Sequence, residues 1–230
     1  MRQPSAFPDS SPVTLAVTDG LAVSGLLVLP PAARACYVLA HSAGAGMDHA
    51  SMRAVAAGLA DSGIATLRYQ FPYMERGSRR PDPPPLCHAT VRAAVAAAAR
   101  LAPELPLVAG GRSFGGRMTS QAQAIEPLAG VRGLGFLAFP LHPAGEPADS
   151  RAEHLARVSV PMLFLSGTRD ALAQRSLLEA VVARLGTRAT LSLIEEADHS
   201  FHVPRSSGRR DADVLAEVLR RLAAWIDALM

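Results

Sequence analysis

The feature that most constrains this chain is Gly111-Arg112-Ser113-Phe114-Gly115, flanked by Gly110 and Gly116. It follows the apolar run Leu105 to Ala109 and precedes a helical stretch beginning near Gly116. A G-x-S-x-G pattern in that setting calls for a strand, a sharp turn and a helix in direct succession. The turn is strained, and glycine flanks the serine where a Cβ would collide with neighbouring backbone. The serine hydroxyl is then held clear of the sheet at the positive end of the next helix.

The elements on either side extend the pattern. Val13 to Val17 and Leu21 to Leu29 read as strands around Asp19-Gly20, a hairpin signal. Ala35 to Ala40 reads as a buried strand ending at His41, and Ala50 to Asp61 as a helix closing at Ser62-Gly63. Ile64 to Arg68 is the next strand. Phe71 to Pro85 reads as a loop, because Pro72, Pro81, Pro83, Pro84 and Pro85 lack N–H groups and fix φ. Leu86 to Leu101 is an alanine-rich helix. Leu105 to Gly110 is a strand and Gly116 to Ile125 a helix. Val131 to Phe139 and Val160 to Leu165 read as strands. Ala171 to Leu185 is helical, ending at Gly186, and Ala189 to Ile194 is the last strand. Asp211 to Leu229 closes the chain with Val214, Leu215, Val218, Leu222, Trp225, Ile226 and Leu229 on one face. Strands alternating with helices after a hairpin predict an α/β fold, a mostly parallel sheet covered on both faces. Right-handed crossovers then place every strand-to-helix loop at one sheet edge, where function gathers.

A chain of 230 residues suits one α/β domain, with residues 1–12 as a flexible lead. Hydrophobic residues at 49% against 19% charged exclude disorder. All 23 basic residues are arginine, yet the net charge is only +3 and no helix carries a basic stripe. Nucleic-acid binding is not expected. Cys36 and Cys87 are too few and too scattered for a disulfide framework or a zinc site. Met1 to Pro12 has no apolar core of signal-peptide length, and no stretch matches the roughly 18 apolar residues of a membrane span. A cytoplasmic protein without membrane contact is the expectation. No signal for an oligomeric state stands out.

Three further signals fall in loops that follow strands. His41-Ser42-Ala43-Gly44-Ala45-Gly46 is a run of small residues whose N–H groups can approach a substrate oxygen. Ser166-Gly167-Thr168-Arg169-Asp170 ends in an aspartate that either orients a histidine or caps the next helix. Ala197-Asp198-His199-Ser200-Phe201 brings a histidine to the same edge; Asp198 is a poor rival acid, since adjacent loop side chains usually point apart. The order Ser113, Asp170, His199 differs from the orders of the chymotrypsin and subtilisin folds. Arg112 is a candidate for anion binding or for a structural ion pair. Arg76, Arg79 and Arg80 form a second cationic cluster, read more simply as solvated charge. Leu141 to Arg157 has room for a loop and one short helix, with His142 and His154 as surface or structural residues.

His41 to Gly46, Gly110 to Gly116, Phe139 to Pro143, Gly167 to Asp170 and Ala197 to Phe201 together resemble an α/β-hydrolase from about Val13 to Leu229. More closely, the chain resembles a small lidless group of dienelactone-hydrolase-like proteins. The resemblance implies a minimal lid and a serine hydrolase acting on a small ester or thioester through an acyl-enzyme. Ser113, Asp170 and His199 would be catalytic; the N–H groups of Ala43 and Phe114 would form the oxyanion hole. His41, Ser42 and Arg112 would line the substrate site. No metal or organic cofactor is implied. Dienelactone hydrolases themselves use cysteine where Ser113 stands, and Ser42 replaces a usual glycine. A serine peptidase and a non-catalytic interaction module on the same fold are the alternatives.

Overall fold

A computed structural model describes residues 10–230. The chain forms β1 (Ser11–Thr18), β2 (Leu21–Val28), β3 (Ala35–Ala40), α1 (Ala50–Asp61), β4 (Ile64–Tyr69), α2 (Pro72–Glu75), α3 (Pro84–Leu101) and β5 (Leu107–Arg112). There follow α4 (Phe114–Ile125), β6 (Val131–Leu137), β7 (Met162–Gly167), α5 (Arg175–Leu185), β8 (Ala189–Ile194) and α6 (Asp211–Asp227). The eight strands make one sheet in the order β1-β2-β4-β3-β5-β6-β7-β8. β2 is antiparallel to both neighbours, and the pairs from β4 to β8 are all parallel.

Each sheet face carries its own core, so the central strands are apolar on both sides, as parallel strands require. Every residue of β3 and β4 is buried. On one face, Met52, Val55 and Leu59 of α1 meet Val214, Val218, Leu222 and Ile226 of α6. On the other, Val91 and Val95 of α3 pack with Met118 and Ala122 of α4 and Leu178 and Val181 of α5. The chain leaves β3 towards β4, then crosses back to place β5 on the other side of β3. Loops that follow β3 and β5 therefore part in opposite directions, opening a crevice at the carboxyl ends of the strands.

Proline accounts for most departures from the expected boundaries. Phe71 to Pro85 is not all loop: it contains α2, and α3 begins at Pro84. At the first helical position the missing N–H has no partner to lose, and the fixed φ already suits the helix. Strands β5 and β7 begin at Leu107 and Met162, two residues later than expected. Pro106 and Pro161 directly precede them and cannot donate to a ladder; their carbonyls accept from Cys36 and Leu134 at 3.0 and 2.9 Å. Helix α5 starts at Arg175, so Asp170 is not its cap. Helix α4 starts at Phe114, directly after the serine, because the turn is a single residue long. The expected flexible lead falls on residues 1–9, outside the described part, and on Ser11 and Pro12, which already belong to β1.

Candidate active site

Ser113 sits between β5 and α4 with φ 50° and ψ −118°, a conformation that side chains rarely adopt. Such strain costs on the order of 1–3 kcal/mol and persists only where the surroundings impose it. They do so here. A Cβ on Gly111 would lie 2.5 Å from the Ala40 carbonyl oxygen, and one on Gly115 would lie 2.5 Å from that of His41. The two glycines let the turn press against the end of β3. Ser113 N–H donates to Leu137 O at 2.9 Å, which ties the turn to β6 as well.

The loops after β7 and β8 are stitched together. Thr168 N–H donates to Ile194 O at 3.0 Å and Arg169 N–H to Ala197 O at 2.9 Å. Glu196 N–H donates to Thr168 Oγ1 at 2.9 Å. This brings Asp170 to His199: Nδ1 lies 2.9 Å from both carboxylate oxygens. The Asp170 side chain is fully buried, and its Oδ1 also accepts from Leu172 N–H at 2.8 Å. His199 Nε2 lies 2.8 Å from Ser113 Oγ. A carboxylate can only accept, so the network assigns the ring proton to Nδ1 and leaves the Nε2 lone pair facing the hydroxyl. Asp198 is spent on its own loop, where Oδ1 accepts from Ser200 and His202 N–H at 2.7 and 2.9 Å.

The loop after β3 supplies the opposite wall. His41 does not contact the site as expected. Its ring is buried, Nε2 accepts from Phe71 N–H at 3.0 Å, and Nδ1 donates to Ser42 O at 2.7 Å. Burial pushes its pKa down to about 4, so it is a neutral strut beneath the loop. Ser42 and Ala43 do line the cleft. Tyr73 Oη donates to Ala43 O at 2.9 Å and fixes that peptide. Among the described residues nothing accepts from Ala43 N–H or from Phe114 N–H, the first amide of α4. No motif marks Tyr73 in the sequence, where it lies in a proline-rich stretch that reads as a loop and folds as α2. Its one signal was position: it follows a core strand at the active edge.

Ser113 opens onto two clefts. One, of about 570 Å³, is lined by Ser42, Gly44, Arg112, His199 and Ser200 among others. The other, of about 400 Å³, is lined by Pro81, Asp82, Phe114, Arg117, Met118 and Arg151. Arg112 forms no ion pair among the described residues; its Nη2 donates to Ser200 O at 3.1 Å and braces the loop that carries His199. Burial lowers its pKa. Arg76, in the other cationic cluster, is paired with Asp82 at 2.5 Å. Between Leu141 and Arg157 the only helix is a 3-10 segment, Ser150–Arg157, and no lid covers the site. His142 and His154 are structural, as expected: one accepts from Gln174 N–H at 3.0 Å, and the other meets Ser120 Oγ at 2.7 Å.

The sequence model of the alpha/beta hydrolase domain family matches residues 33–227, most of the chain. The protein belongs to the α/β-hydrolases. Solved structures of the same fold support that placement. Dienelactone hydrolase from Anabaena variabilis superposes with a TM-score of 0.77 at 22% identity, over 96% of this chain and 98% of its own. A serine hydrolase without a lid from Xanthomonas campestris gives 0.72 at 20% identity, over 97% and 98%. Est1E from Butyrivibrio proteoclasticus, solved with ferulic acid, gives 0.76 at 16%, over 94% and 99%. At these identities the likeness is one of fold. Among the described residues of this α/β-hydrolase, no helix is long and apolar enough to cross a membrane.

Proposed function

We propose that the protein is a serine hydrolase that cleaves a small carboxylic ester or thioester through an acyl-enzyme. The observation that carries this reading is the unbroken chain from Asp170 through His199 to Ser113, with contacts of 2.9 and 2.8 Å. His199 Nε2 takes the hydroxyl proton as Ser113 Oγ attacks the carbonyl carbon. Asp170 holds the tautomer and stabilises the imidazolium. The N–H groups of Phe114 and Ala43 receive the developing oxyanion; one such donor is worth roughly 10²–10³ in rate. His199 then passes its proton to the departing oxygen or sulfur. A water, deprotonated by His199, releases the acid and restores Ser113. The scheme needs no metal or organic cofactor. A cytoplasmic location belongs to the same reading and is checked by cell fractionation.

Labelling with a fluorophosphonate probe, followed by intact mass, tests for an activated serine without assuming a substrate. One adduct on wild type and none on Ser113→Ala is expected. No adduct on folded wild type would favour a non-catalytic interaction module on this fold.

A further inference from the structure

The two clefts beside Ser113 have different walls, and catalysis assigns them different halves of the substrate. A general acid must reach the atom that departs. His199 lines the 570 Å³ cleft, so the leaving group lies there. The acyl group then occupies the 400 Å³ cleft, which His199 does not line. Phe114, Met118, Pro81, Pro84, Pro140 and Leu172 give that cleft an apolar wall.

Its charges are unusual. Arg117 stands one helical turn beyond Ser113, with its N–H on the Ser113 carbonyl at 3.2 Å. Its guanidinium carbon lies 5.8 Å from the centre of the Phe114 ring. Its Nε is buried without a hydrogen-bond partner, and it pairs with no acid among the described residues. Arg151, from the 3-10 segment that packs against α4, lines the same cleft and also pairs with no acid among the described residues; burial and repulsion from Arg151 both lower the pKa of Arg117. Asp82 is the one acid lining the cleft; its Oδ1 sits 2.5 Å from Arg76, its buried Oδ2 has no hydrogen-bond partner, and it pairs with neither Arg117 nor Arg151. Two cations held together beside a nucleophile, with donors unspent, are costly unless an anion joins them.

Resting on the ester-hydrolysis reading, we propose that Arg117 and Arg151 bind a carboxylate at the far end of the substrate's acyl group. The preferred substrate is a half-ester or half-thioester of a short dicarboxylic acid. Its methylene chain lies along Phe114 and Met118, and its carboxylate oxygens take the open guanidinium donors. Guanidinium suits this task because its fork of N–H groups matches a carboxylate.

The test compares two esters of equal length, the 4-nitrophenyl monoester of adipic acid and that of its monoamide. Only the first carries the charge. Wild type is expected to favour the carboxylate by about tenfold or more in kcat/KM, the range of a charge-assisted hydrogen bond. That ratio should fall about tenfold in Arg117→Met and in Arg151→Gln, and further in the double variant. A purely structural role, such as packing on Phe114, would lower both rates and leave the ratio alone. Calorimetric binding of adipate against the uncharged diamide adipamide adds a readout that needs no turnover. Adipate binding that weakens in both variants, without ester cleavage, would support the anion site and sink the ester reading. Turnover with a wild-type ratio near one, or a ratio unmoved by both substitutions, would overturn the anion site alone.

Discussion

Helix α4 and its entry turn carry two serine–histidine pairs, seven residues apart, and they differ in everything except distance. Ser113 Oγ lies 2.8 Å from His199 Nε2; Ser120 Oγ lies 2.7 Å from His154 Nε2. Ser120 is buried in regular helix, and its hydroxyl donates to Arg117 O at 3.0 Å. With its one proton committed there, Ser120 accepts from His154, whose Nε2 must carry the hydrogen. His154 has cations around it rather than a carboxylate behind it. Burial first, then Arg117, Arg157 and His88, push its pKa down to about 4. His199 has Asp170 on Nδ1, and its Nε2 lone pair is turned towards a strained, half-exposed hydroxyl. A short serine–histidine contact therefore says little by itself. The partner on the far nitrogen decides which atom holds the proton, and so whether the histidine can act as a base.

The largest expected effect removes the first pair while sparing the second. Ser113→Ala should lower ester kcat/KM by about 10⁴-fold or more, the scale seen when a triad nucleophile is lost. Fluorophosphonate should then find no serine, although Ser120 and its histidine remain. An adduct on Ser120 in that variant would break the comparison outright.

Asp170→Asn sharpens it, because it makes His199 resemble His154. The asparagine amide can donate to Nδ1, which favours the tautomer with hydrogen on Nε2. The hydroxyl then faces a donor instead of a base. A fall in kcat of about 10⁴ is expected, with KM moved far less. Thermal melts of the variant, run alongside, separate this from unfolding. A loss below about tenfold would mean that Asp170 does not set the tautomer.

The sequence made the first pair legible and hid the second for the same reason. Ser113, Asp170 and His199 each lie just past a strand, and strand ends in a parallel sheet converge whatever the intervening chain does. Ser120 and His154 meet only because the 3-10 segment Ser150–Arg157 packs against α4, a contact with no signature in spacing. The fold was readable to within one or two residues at most strand ends, since its strands are continuous apolar runs between glycine and proline. It was misread where proline opens a helix instead of breaking one, at Pro72 and Pro84. His41 was misassigned because sequence reports neighbours along the chain, and its decisive partner, the Phe71 amide, is thirty residues away. Arg117 and Arg151 were passed over because arginines dominate this chain's charge, and only the cleft sets these two apart.

Acid should reveal the second pair in stability rather than in rate. His41 and His154 are both held near pKa 4, below the usual 6.5 of the unfolded chain. Above about pH 6.5 neither state binds the proton, and their full stabilising effect is present. Between about pH 6.5 and 4 the unfolded chain takes up protons that the folded one refuses, so stability should fall as pH falls. Urea melts across that window should show the slope, and His154→Gln should flatten it. A slope unchanged in that variant would mean that His154 titrates normally.

The smallest expected effect is the most specific. Ser120→Ala leaves the Nε2–H of His154 without an acceptor and removes the hydroxyl bond to Arg117 O. The loss should be about 1 kcal/mol of stability, since a net hydrogen bond of this kind is worth roughly that much. Ester kcat/KM should change by less than about threefold, because neither group touches the reacting atoms. A drop beyond about tenfold would show that the second pair holds α4 in the register that the Ser113 turn requires. The two pairs would then be one device, with the buried contact positioning the exposed one through a single helical segment.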